Sequence, residues 1–192
     1  MGRMWIMESG SMSLPIVQIG NPVLRKKSHK ISRITAETRR LANEMLETMR
    51  EAHGVGLAAP QVGELVRLIV VEFPEDDEKE DSPLRTYQVV NPEIIWRSEE
   101  MVIGVEGCLS IPGLAGEVER HEAVKIRGLD VYGRPVKYDL KGWIARIFQH
   151  EIDHLDGICY VDRSSNVWQL GAESDEAEDG EMEAAVTAGE KG

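Results

Sequence analysis

The chain has 192 residues, enough for one domain with a buried core. Its 34 acidic and 22 basic side chains leave a net charge of −12, which argues against a nucleic-acid partner and against an anionic membrane surface. No run of eighteen apolar residues would span a bilayer, and two cysteines, Cys108 and Cys159, make no disulfide framework, so the expected setting is the cytoplasm.

Met1 to Met12 carry no apolar stretch behind Arg3 and so do not read as a signal peptide. They read as a leader outside the fold, of vector origin or a loose end, with the natural start at Met12. Asn21-Pro22 and the stretch Lys26 to Ser28 read as loop. Thr35 is placed to cap a helix on which Leu41, Met45, Met49 and Ala52 recur at helical spacing, with Gly54 as its stop. Arg67 to Phe73 reads as a buried strand, Glu75 to Ser82 as an acidic loop, and Tyr87 to Val90 and Glu93 to Trp96 as strand pieces broken by Pro92. Ala123 to Ile126 and Val136 to Leu140 flank a turn at Tyr132 to Pro135, which predicts a hairpin. Gly142 to Leu155 is the second helix. Beyond Asp162 the pattern fades, and residues 171–192 hold eight acids against Lys191, too few large apolar groups to offset the entropy of ordering them. The expected organisation is a leader over 1–12, a catalytic domain over 13–170 and a disordered acidic tail over 171–192. The expected fold class is α+β: antiparallel or mixed sheets packed around a central metal-binding helix, with an N-terminal helix.

That central helix carries the chemistry. On a wheel at about 100° per residue, Ile144, Ile147, Phe148, Ile152 and Leu155 share one side, while Ala145, Arg146, Gln149, Asp153 and Asp156 fall opposite. Glu151 falls in the middle of the apolar side, with His150 and His154 on its shoulder. A buried carboxylate without a cation is costly, and a divalent metal on two imidazoles supplies one. The pattern is H-E-x-x-H, in which both imidazoles reach one metal and the glutamate reaches its water. A third protein ligand is still required. Cys108, His53, His121, His29, Cys159 and the acids are the candidates. Cys108 stands out by its setting in Glu106-Gly107-Cys108-Leu109-Ser110, whereas Cys159 reads as an inert apolar side chain.

Three segments together resemble the peptide deformylase family: Gly54-Val55-Gly56-Leu57-Ala58-Ala59-Pro60-Gln61, Glu106 to Ser110, and Gln149-His150-Glu151-Ile152-Asp153-His154-Leu155-Asp156-Gly157. The resemblance spans about residues 14 to 165. It implies removal of the formyl group from the N-terminal methionine of new proteins, with N-formylmethionyl nascent peptides as partners, met at the ribosome exit region. It implies one divalent metal held by Cys108, His150 and His154: Fe(II) in the cell, with zinc, nickel or cobalt able to replace it. Attack by metal-bound water or hydroxide is expected, with Glu151 moving the proton and the Gln61 amide and Leu109 N–H steadying the oxyanion. Val55, Gly56 and Ile147 are the expected walls for the methionine side chain, and the peptide is expected to add as a strand beside Val55 and Gly107. An H-E-x-x-H endopeptidase would place its third ligand downstream, where there is no histidine and where Glu173 and Glu176 lie in the tail. A purely structural metal site has no use for a buried base at Glu151.

Overall fold

The computed structural model describes residues 13–76, 79 and 81–171, so the expected leader and all but the first residue of the expected tail lie outside the described residues. Helix α1 (Ala36–Glu51) begins at a reciprocal cap. Thr35 Oγ1 accepts from Thr38 N, and Thr38 Oγ1 accepts from Thr35 N. The chain turns out of α1 on His53, not on Gly54. His53 takes the left-handed conformation (φ 54°), and Gly54 N donates to Met49 O. Gly54 serves packing instead, because a Cβ there would lie 2.7 Å from Leu109 Cδ1.

Five strands form one antiparallel sheet: β1 (Gly56–Ala58), β2 (Leu68–Pro74), β3 (Leu84–Arg97), β6 (Ala123–Leu129) and β7 (Pro135–Lys141), hydrogen-bonded in that order. Strand β3 is continuous, whereas the sequence pattern predicts two pieces. Pro92 falls in a bulge where the register with β6 shifts between Val90 and Glu93, so the missing N–H interrupts no regular ladder. Asn91 takes a positive φ of 52° there, and its side chain holds the Ile31 N–H and carbonyl at 2.8 and 2.9 Å. Three further strands form a second antiparallel sheet in the order β4 (Met101–Cys108), β5 (Ile111–His121) and β8 (Asn166–Gln169). Strands β5 and β8 escape sequence reading. Gly116 and Arg120 occupy inward positions of β5 and break its apolar alternation, and β8 is a four-residue edge strand that β5 recruits.

Helix α2 (Trp143–Leu155) lies against both sheets, with eleven of its thirteen residues buried. Ala145, Phe148, Ile152 and Leu155 pack on Ile69, Val71, Val89 and Ile126 of the larger sheet. Of the residues that fall opposite the apolar side, Ala145, Arg146, Gln149 and Asp153 are all buried; Asp156 alone of that set is exposed. Arg146, Gln149 and Asp153 face the smaller sheet rather than water. Gln149 shows how they are satisfied: its amide pairs with the His121 backbone like a strand neighbour, at 2.8 and 3.2 Å. On the other face of the larger sheet, α1 buries Ala42, Met45, Leu46 and Met49 against Leu57, Leu68, Val70 and Val90. No helix among the described residues is long and apolar enough to cross a membrane.

Gly157 ends the α2 segment at φ 78°, where a Cβ would lie 2.7 Å from the Arg25 carbonyl oxygen. Gly157→Ala is therefore expected to destabilise the protein by about 2 kcal/mol or more. A urea midpoint that does not move would show that neither the left-handed backbone nor the contact with Arg25 matters.

Candidate metal centre

His150 and His154 stand one turn apart on α2, and Cys108 reaches them from the end of β4. One donor atom from each of the three lies within 4.8 Å of the others, and Cys108 Sγ is 3.2 Å from His154 Nε2. An ion bound tetrahedrally at ordinary metal–sulfur and metal–nitrogen lengths would space such donors by about 3.5 Å, so the cluster fits a metal. The donor set of a thiolate and two imidazoles suits a divalent transition metal and does not choose among them. Among the described residues, this is the cluster with metal-ligand geometry.

A buried carboxylate orients one of the two imidazoles. His150 Nδ1 is 2.9 Å from Glu106 Oε2, which leaves Nε2 for the cluster. Burial disfavours charge on His150, but hydrogen bonding to Cys108 and Glu106 outweighs it and holds the pKa up at about 10. His154 is held well below the ordinary imidazole value by its burial and by the charge on His150. Glu106 is itself deeply buried, which would raise its pKa, yet hydrogen bonds from Arg120 and His150 keep it far below the carboxylate range. Arg120 grips Glu106 with two bonds of 2.9 Å and also pairs with Asp153. Arg163 closes the chain of charges on Asp153 at 2.5 and 2.6 Å, and Arg146 donates to Glu106 Oε1 at 2.9 Å.

Glu151 is 4 % exposed, and its Oε2 is buried without a protein partner, as is the His154 ring nitrogen Nδ1. Burial pushes the Glu151 carboxyl up to about 7, against the opposing pull of His150. Gly56 makes room for it, since a Cβ at Gly56 would lie 2.4 Å from Glu151 Oε1. Here the run of small residues does what close packing against α2 requires. Gln61 is 1 % exposed, which excludes a surface-loop amide. Its Oε1 accepts from Ala58 N at 2.8 Å, so Nε2 points to Ser110 Oγ at 3.2 Å and Cys108 Sγ at 3.4 Å.

These groups open onto a cavity of about 470 Å³. All of the expected binding residues line it: Val55, Gly56, Gly107 and Ile147, with Leu109 and Gln61 beside the donors. Val55 is half exposed at its rim, and Gly107 is crowded by nothing nearer than Leu114 O, 3.7 Å from where a Cβ would be. No other candidate histidine, nor Cys159, joins the three-donor cluster, although His53 lines the same cavity. His121 Nδ1 is 2.7 Å from Ser98 O, and His29 bridges to Val66. Burial pushes the Cys159 thiol up to about 11, in keeping with an inert side chain. Sequence reading missed Arg120, Asp153 and Arg163, and missed the burial of Arg146. No local signal marks them: the wheel sets Asp153 opposite the apolar side, and the strand that turns Arg120 inward is not predicted.

A model of the polypeptide deformylase family matches residues 13–169. The chain is 48% identical to a peptide deformylase of Symbiobacterium thermophilum over 169 residues, covering 88% of this chain and 75% of that one. It is 44% identical to one from Desulforudis audaxviator over 154 residues, covering 80% and 95%. A Met-Ala-Ser-bound crystal structure of a class I type b peptide deformylase from Acinetobacter baumannii superposes with a TM-score of 0.74 at 41% identity, covering 80% of this chain and 99% of that one. The Thermus thermophilus enzyme superposes with a TM-score of 0.70 at 47% identity, covering 78% and 84%.

Glu106→Gln keeps an acceptor but removes the charge that balances Arg120 and orients His150. It is expected to weaken metal retention by about 10- to 100-fold in competition with a chelator. Retention equal to the parent protein would rule out that role for Glu106.

Proposed function

Because the chain belongs to the polypeptide deformylase family, we propose that this enzyme is a metal-dependent hydrolase that removes the formyl group from the N-terminal formylmethionine of newly made polypeptides. The observation that carries the reading is the Glu151 carboxylate, buried with one oxygen unpartnered beside three metal-type donors at the wall of an apolar cavity. Cys108, His150 and His154 would hold one divalent ion. When bound, such an ion polarises a carbonyl oxygen and acidifies water. Fe(II) is the ion proposed for the cell, and zinc, nickel or cobalt suits the same donors.

The remaining work falls to the protein's own groups. Glu151 takes a proton from the attacking water at its carboxylate and delivers it to the nitrogen of the departing amine. A carboxyl pushed towards neutrality by burial suits both halves of that transfer. Gln61 Nε2, oriented by the Ala58 N–H, and the backbone N–H of Leu109 donate to the oxygen that gains charge. Val55, Gly56 and Ile147 enclose the methionine side chain, and the peptide backbone adds as a strand beside Val55 and Gly107. Main-chain bonds of that kind accept many sequences, as nascent chains met at the ribosome exit region demand. The cytoplasm is the proposed setting.

Anaerobically purified protein is expected to release formate from a formyl-Met tripeptide and to leave the acetyl analogue intact. No formate from metal-loaded protein would sink the assignment. Glu151→Ala is expected to keep the metal and lose at least a thousandfold in kcat/KM; loss of metal along with activity would instead make Glu151 a structural residue.

A further inference from the structure

The face of α2 that carries Glu151 and His150 continues towards the helix start through Ile147 to Trp143, residues spaced to share one stripe. The cavity of about 470 Å³ runs along this stripe and reaches Trp143 and Arg146. A second cavity, of about 210 Å³, touches the same two residues and is otherwise bounded by the start of α2, by Val102 to Gly104 of β4 and by Arg120 to Glu122. Trp143 and Arg146 are thus the partition between two spaces. Arg146 is immobilised: Nη1 donates to Val118 O at 2.8 Å and to Glu106 Oε1 at 2.9 Å, and Nη2 donates to Val102 O at 2.7 Å. Gly104 leaves room for the guanidinium, because a Cβ there would lie 2.7 Å from Arg146 Cζ. The Trp143 ring rests on that fixed plane, 5.5 Å from Arg146 Cζ to the ring centroid.

We propose that Trp143, seated on the Arg146 guanidinium, sets the longest first side chain the enzyme accepts by closing its pocket off from the second cavity. The inference rests on the function proposed above and adds a specificity determinant to it. Lengths support it. Trp143 lies seven residues from His150, about 10 Å along the helix at about 1.5 Å per residue. From formyl carbon to terminal methyl, an extended formylmethionine spans about 8 Å by covalent geometry. With a van der Waals contact of about 3.5–4 Å beyond it, methionine needs about 12 Å against about 10 Å of backbone rise, so it already reaches the level of the indole, and two more methylenes add about 2.5 Å. The indole is half exposed and contributes little to the core, so its removal spares the fold.

The test compares metal-loaded full-length protein with Trp143→Ala and Trp143→Phe on tripeptides that begin with formyl-Met or with formyl-2-aminooctanoate, two methylenes longer. It also measures equilibrium binding of the same peptides without the formyl group. Each methylene newly buried is worth a factor of about four. Trp143→Ala is therefore expected to raise the long-to-Met ratio about 15-fold, both in kcat/KM and in affinity, while Trp143→Phe retains most of the original limit. A ratio within twofold of the parent in both readouts would overturn the proposal, as would an equal rise in Trp143→Phe. Absence of formate release from the parent protein would instead overturn the proposed function, and the binding ratio would still decide the role of Trp143.

Discussion

Glu106 is 5 % exposed, and a carboxylate that deep in protein is tolerable only if cations and donors surround it. It accepts from Arg120 on the neighbouring strand, from Arg146 on the central helix and from His150 in the cluster itself. Arg120 lies on β5, and Arg146 and His150 lie on α2. One side chain therefore ties β4 to β5, both strands to α2, and all of them to an imidazole. Arg120 carries the linkage on to Asp153, and Arg163 anchors that residue from the segment after the helix. Removing Glu106 would take the carboxylate partner from the buried Arg146 guanidinium and one of two from Arg120.

The same constraint explains why α2 is buried all round although nearly half of its residues are polar. The apolar half meets the larger sheet through dispersion and hydrophobic contact. The polar half meets the smaller sheet through hydrogen bonds that leave few groups unsatisfied, with Gln149 on the His121 backbone and Arg146 on three carbonyls. On α2 itself, Glu151 Oε2 and His154 Nδ1 are the buried polar side-chain atoms left without a protein partner.

Much of this was legible in the sequence, unevenly. Both helices follow from periodicity, Thr35 from its capping chemistry, and the pairing of His150 with His154 from spacing alone. Spacing left the third donor open among several residues, and resemblance singled out Cys108. Pro92 suggested a broken strand because a bulge that absorbs it depends on the partner strand, which local sequence does not contain. Arg120, Arg146 and Asp153 looked like surface charges for a similar reason. Their counter-charges lie 14 to 40 residues away in sequence, and no periodic rule reports that a charge has met its partner. Strand β5 was hidden by the very residues that make it useful, since an inward arginine and an inward glycine erase alternation.

The layered position of α2 bears on how the molecule is made. Its apolar half is the cover of the larger sheet, yet in chain order it follows every strand of that sheet. Until Leu155 has been synthesised, Ile69, Val71, Val89 and Ile126 lack the cover that α2 gives them, and the growing chain carries an open apolar face that can associate with others. The segment that closes this face also brings Glu151 and both histidines. Completion of the core and arrival of the reactive groups are therefore one event, so a truncated or half-folded chain has no partial activity to misuse.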